Sequence, residues 1–159
     1  MNMLDIIEKW VDQTNSYHKE QRISCDRFVE NFKGYYSEDF LKKSYFVVLD
    51  NIPKIDLPEL RELGFGNFID MPANGITYKN TYYITPSGIN NLRLHFHELV
   101  HIVQWQILGA ENFITRYMTE IKNFGYNEAP LEIIAYGLDE EYTNKERVID
   151  VSNFVTEHL

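Results

Sequence analysis

The sequence predicts an α+β fold, a small sheet accompanied by helices, and three observations predict it. Apolar residues recur at three- to four-residue spacing in several stretches, two short runs of β-formers flank a tight polar turn at Lys79-Asn80, and Gly or Pro punctuates the boundaries. At 159 residues the chain is long enough for one hydrophobic core and short for two. A single unit over 1–159 is therefore expected, with N-terminal helices and a strand over 1–70 and the chemically informative core over 75–138.

Taken in order, Leu4, Ile7, Trp10 and Val11 predict an amphipathic helix over 3–19. Short helices are expected over 25–32 and 38–43, and Tyr45-Phe46-Val47-Val48-Leu49 reads as a buried strand closed by Asn51-Ile52-Pro53. Helical turns over 59–63 should stop at Gly64 and Gly66. The runs 76–78 and 81–85 read as a hairpin. Beyond Pro86, Ser87 is a candidate N-cap for a helix over 89–108 that ends at Gly109. Further helices are expected over 111–123, over 130–138 with Pro130 in the first turn, and over 146–155.

Composition excludes several function classes. With 15 basic against 24 acidic residues the formal charge is −9, which repels phosphate backbones and anionic lipid, so neither nucleic acid nor membrane is an expected partner. No apolar run approaches the roughly 20 residues of a membrane span, and residues 1–10 lack the basic start and apolar core of a signal peptide. The one cysteine, Cys25, permits neither an intrachain disulfide nor a thiol-rich metal site. A reducing, cytoplasmic location is expected, with Cys25 an inert buried thiol.

The segment His95-Phe96-His97-Glu98-Leu99-Val100-His101 contains H-E-x-x-H. On a helix turning about 100° per residue, His97 and His101 fall about 40° apart, one turn above the other, so both imidazoles reach one ion. Glu98 follows His97 directly, near enough to act as base toward a metal-activated water without becoming a ligand. Leu92, Phe96, Leu99, Val103 and Ile107 form a core stripe, with Leu94 and Leu108 across the helix, so this helix should be buried between layers. His95 points away from the pair and reads as a surface or cleft-wall residue, while Trp105 should bury its ring between helices.

A third ligand is required, and no histidine follows His101 except His158. A carboxylate is favoured. Glu132 lies inside the predicted helix on the face of Ala135 and Tyr136, where a small residue allows close approach; Glu128, before the helix start, is the reserve candidate. Tyr136 could donate a hydrogen bond to a developing oxyanion, although with 11 tyrosines in the chain plain packing is the competing role.

These residues carry a resemblance. Gly75-Ile76-Thr77-Tyr78, Tyr82-Tyr83-Ile84, Leu94, the run from His97-Glu98-Leu99-Val100-His101 to Gln104-Trp105, Pro130-Leu131-Glu132 and Ala135-Tyr136 resemble small gluzincin-type zinc metallopeptidase domains, over less than half the chain. The resemblance implies a zincin-like fold with an active-site helix, Zn2+ as cofactor, Glu132 as third ligand and peptide-bond hydrolysis by a metalloendopeptidase acting on a peptide or protein. It also implies that residues 82–85 form an edge strand along which substrate lies. One departure stands out: Tyr136 occupies the position at which thermolysin-like gluzincins carry an aspartate that orients a zinc-bound histidine, so either another acid, with Asp139 the candidate, supplies that contact or the tyrosine does a different job. The rival expectation is a catalytically weak or inactive zinc-binding interaction or regulatory module of the same fold.

Overall fold

Helices surround a small mixed sheet in the computed structural model, which describes Met1 to Leu159. Helix α1 spans Met3–Tyr17 and is capped by Asn2, whose side chain accepts from the Asp5 amide. Strand β1 (Ile23–Ser24) leads into a 3-10 turn at Cys25–Phe28 rather than the helix expected over 25–32. The chain winds on through turns to Gly34 (φ 87°), which lets Phe28, Phe32, Tyr35 and Tyr36 all turn inward. Helix α2 (Glu38–Lys42), capped by Ser37, precedes strand β2 (Tyr45–Val48).

A helical turn α3 (Pro58–Leu60) continues through a wider turn at Arg61–Phe65, which breaks at Gly64 (φ 101°). Gly66, expected to end the helix, instead opens α4 (Gly66–Asp70). The Arg61 guanidinium bridges Asp56 and Asp70, with contacts of 2.7–3.0 Å, and closes this segment on itself. Strands β3 (Gly75–Tyr78) and β4 (Thr81–Ile84) form the expected hairpin about Lys79 and Asn80. Lys79 turns through φ 58°, and its ammonium is held by Glu8 and Asp12 of α1 at 2.7 and 2.8 Å.

The strand order is β1-β2-β4-β3, with β2 and β4 parallel and the outer pairs antiparallel. The strand expected at the sheet's edge, residues 82–85, is therefore interior, and β1 and β3 are the edges. All four residues of β4 are buried, and a strand covered on both faces is driven to the middle of a sheet. Side chains alternate accordingly: Phe46, Tyr82 and Ile84 enter one core with Phe96, Leu99 and Leu138, while Val47 and Tyr83 enter a second with Ile7, Val11 and Phe113.

Helix α5 spans Leu92–Leu108 and takes Asn91 as its N-cap, the Asn91 side chain accepting from the Leu94 amide. Ser87 does not cap it, because Pro86–Gly88 forms a separate 3-10 turn. Helix α6 (Ala110–Phe124) runs between Gly109 and Gly125, at φ 80° and 78°. Helix α7 (Pro130–Asn144) continues past the expected stop at Leu138, since Asp139 and Tyr142 in the following acidic stretch are buried against α5 and the first core. It ends at Lys145 (φ 54°), so the tail becomes helical only from Val151, as α8 (Val151–His158) capped by Asp150. No helix is long and apolar enough to cross a membrane.

Candidate metal centre

Helix α5 is buried without interruption from His95 to Trp105, because the sheet covers one side and α7 packs along another. Within it His97 and His101 present their rings one turn apart, with Nε2 atoms separated by 3.3 Å. Glu132, two residues into α7 from Pro130, brings Oε1 to 3.0 Å from His97 Nε2 and 3.1 Å from His101 Nε2. The start of α7 is fixed by Glu120 of α6, whose carboxylate accepts from the Leu131 amide at 2.8 Å and supplies the cap that Ala129 cannot. These three buried residues are a group that can hold a metal ion.

Their protons can be assigned from their partners. His97 Nδ1 lies 2.8 Å from Asp139 Oδ2, and a carboxylate only accepts, so Nδ1 carries the hydrogen. Gln104 donates from Nε2 to the Leu131 carbonyl at 3.0 Å, which fixes its amide and turns Oε1 toward His101 Nδ1 at 2.7 Å. His101 Nδ1 is then the donor as well. When both rings are neutral, two imidazole lone pairs and one carboxylate oxygen converge, an arrangement that can hold a cation. Ligands bonded at about 2.0–2.1 Å to a tetrahedral zinc stand about 3.3–3.4 Å apart, and the observed edges of 3.0, 3.1 and 3.3 Å come close to that triangle.

Surrounding groups hold the triangle in place. Tyr117 of α6 donates to Glu132 Oε2 at 2.6 Å, leaving Oε1 to face the histidines. Asp139 is itself engaged by Arg93 Nε at 2.7 Å. Glu98 is buried beside the group, its Oε2 3.9 Å from His97 Nε2, and Thr77 on the edge strand β3 donates to its Oε1 at 3.0 Å. Gly75, also on β3, passes so close that a Cβ there would sit 3.1 Å from the Glu98 carboxyl carbon.

Titration follows this crowding. Burial opposes charge on His97, but hydrogen bonds to Asp139 and Glu132 outweigh it and lift the ring to about 10. His101 rises for the same reason, burial being overcome by the Glu132 charge and hydrogen bond. Burial pushes Glu132 up, yet the two histidines draw it well below the usual carboxylate range. Glu98 is raised by burial, against the pull of both imidazoles. Without a metal, a proton takes the place of the cation.

The other expected site residues fall as follows. Glu128 is exposed in the turn before α7 and is not part of the group. Tyr136 is 42% exposed, with its ring centroid 4.4 Å from that of His97 and its hydroxyl 3.2 Å from that of Tyr126. Asp139 contacts His97 as described. His95 is neither on the surface nor in the cleft wall: it is wholly buried, Nε2 donating to the Ile89 carbonyl at 2.8 Å and Nδ1 accepting from Tyr82 at 2.6 Å. Trp105 buries its ring against Phe113 and donates to the Thr77 carbonyl at 3.2 Å. Tyr117, Thr77 and Glu120 were not legible in the sequence; only the helical phase of Tyr117 in 111–123 hinted at an inward position.

The group opens on a cavity of about 580 Å3 whose wall includes His97, Glu98, His101, Glu132 and Tyr136. Comparison of the chain with protein-family models, curated proteins and solved structures finds no match.

Proposed function

We propose that the chain is a zinc-dependent peptidase of gluzincin type and zincin-like fold, with His97, His101 and Glu132 as ligands, Glu98 as general base and Tyr136 as a hydrogen-bond donor to substrate. The observation that carries the reading is the convergence of two imidazole nitrogens and one carboxylate oxygen within 3.0–3.3 Å of one another, beside a buried carboxylate and open to a cavity. Two imidazoles and one carboxylate are a donor set that catalytic zinc takes. When bound, zinc supplies Lewis acidity that polarises a carbonyl and lowers the pKa of water to about 7.

The chain's own groups account for the remainder. Thr77 pins one oxygen of Glu98, leaving Oε2 turned toward the ligand group to take the proton of the attacking water and pass it to the leaving amine. Burial raises the proton affinity of Glu98, which suits a base that must also act as an acid. Tyr136, on the cavity wall beside His97, offers a hydroxyl to the carbonyl oxygen as charge develops there. Strand β3, at one edge of the sheet and on the same wall, offers backbone to an extended peptide.

Metal analysis of purified protein should give about one zinc per chain, lost in His97→Ala. Glu98→Gln should keep the zinc and lose peptide hydrolysis by about 10²–10⁴-fold. A wild-type chain that takes up no zinc removes the proposal, and unchanged turnover in Glu98→Gln removes the assigned base.

A further inference from the structure

The cavity extends well beyond the metal centre. Its volume of about 580 Å3 falls within the roughly 300–1,000 Å3 of ligand pockets, and its wall reaches from His97 and Glu98 to Ile7 and Val11 of α1. Its character changes along that length. Charged wall residues outside the ligand group are already engaged: Arg93 by Asp139, and Lys54 by the carbonyls of Phe68 and Met71 at 2.9 and 2.7 Å. The Tyr78 hydroxyl donates to the Pro53 carbonyl at 2.6 Å, and Tyr117 and Trp105 are committed to Glu132 and Thr77. No buried side-chain nitrogen or oxygen lacks a partner.

Away from the metal the wall is apolar, formed by Ile7, Val11, Leu60, Phe65, Phe113 and Ile114. A polar ligand would find no free side-chain group there to replace its water, whereas an apolar one gains by leaving water. Four of these residues, Ile7, Val11, Leu60 and Phe65, come from the N-terminal part of the chain, which contributes nothing to the ligand triangle. Strand β3 lines the same cavity and pairs on one side only, so a peptide laid along it would project alternate side chains to opposite sides.

We propose that this inner region is a specificity pouch for a bulky apolar side chain, aromatic or long aliphatic, beside the bond to be cleaved in the substrate peptide. The proposal rests on the peptidase reading above, and it gives the N-terminal elements a role in substrate selection.

A probe series separates the two. Alkyl hydroxamic acids from acetohydroxamic to octanohydroxamic acid are titrated calorimetrically into the zinc-loaded full chain. Affinity should rise about fourfold per added methylene until the pouch is full. Ile114→Phe and Ile7→Phe, on different helices lining the pouch and outside the metal centre, should flatten that rise and leave acetohydroxamic acid unaffected; two variants guard against one failing to fold. A wild-type series flat within about twofold overturns the pouch. If acetohydroxamic acid itself fails to bind the zinc-loaded chain, the peptidase reading is at fault, and an alkan-1-ol series, which needs no metal, decides the pouch by the same rise or its absence.

Discussion

Asp139 stands seven residues after Glu132 on α7, and the two carboxylates take opposite nitrogens of one ring: Asp139 Oδ2 lies 2.8 Å from Nδ1 of His97, and Glu132 Oε1 lies 3.0 Å from its Nε2. Seven residues are about two helical turns, so both acids leave the same side of α7. Asp139→Asn keeps the shape and removes the charge that holds the Nδ1 proton. Zinc affinity should fall by about 10–100-fold in competition with a chromophoric chelator, with the circular dichroism spectrum unchanged. Equal affinity would show that the carboxylate does not orient His97.

The metal-free chain should show a stability maximum set by the same groups. His97 is raised from 6.5 to about 10, so its stabilisation is complete below about pH 6.5 and is lost as pH climbs through about 10. Glu132 is lowered from 4.5, so its contribution is complete above about pH 4.5 and is lost as acid protonates it. Melting temperatures of the metal-free protein should therefore peak between about pH 4.5 and 6.5 and decline toward pH 10. Zinc requires the neutral ring, so calorimetry at pH 7 in buffers of different ionisation enthalpy should register about one proton released per metal bound. A metal-free melting curve that holds level from pH 6 to 10 contradicts the assignment.

Tyr136 touches His97 by its ring and Tyr126 by its hydroxyl, and no ligand oxygen depends on it. Tyr136→Phe should leave zinc content and melting temperature unchanged while lowering kcat by about 10²–10³-fold, the cost of losing one donor to a developing oxyanion. An unaltered kcat would assign the residue to packing alone.

Gly75 is needed where it stands because of Glu98. A Cβ in Gly75→Ala would lie 3.1–3.2 Å from three atoms of the Glu98 side chain, forcing a shift of a few tenths of an ångström in the base. Zinc should still bind, and turnover should drop severalfold, up to about tenfold. Zinc loss instead would mean that β3 supports the ligands rather than the base.

The contrast between legible and illegible features follows from sequence separation. His97, Glu98 and His101 lie within two helical turns, so helical geometry alone brings them together. Glu132 was legible through Pro130, which marks a helix start, and Ala135, which permits close packing. Tyr117 and Thr77 reach the group only because α6 and the sheet pack against α5 and α7, and no local pattern encodes that packing. The hairpin could be read from Lys79-Asn80, but not its placement: β4 is central because it pairs in parallel with β2 across a long crossover. Likewise α7 outruns its expected end at Leu138 because Asp139, 2% exposed beneath Arg93, and Tyr142 carry the buried face of the helix further.

Cys25 closes a hydrogen-bonded line through the first core. Its thiol faces the Tyr82 hydroxyl at 3.6 Å, Tyr82 donates on to His95, and burial pushes the thiol up to about 12. A thiol shut away behind that line reacts only in molecules that have momentarily opened. The chain thus carries a built-in counter of its own breathing: the speed at which a disulfide reagent consumes its lone thiol reports how often the first core comes apart, and loading with zinc should slow that clock.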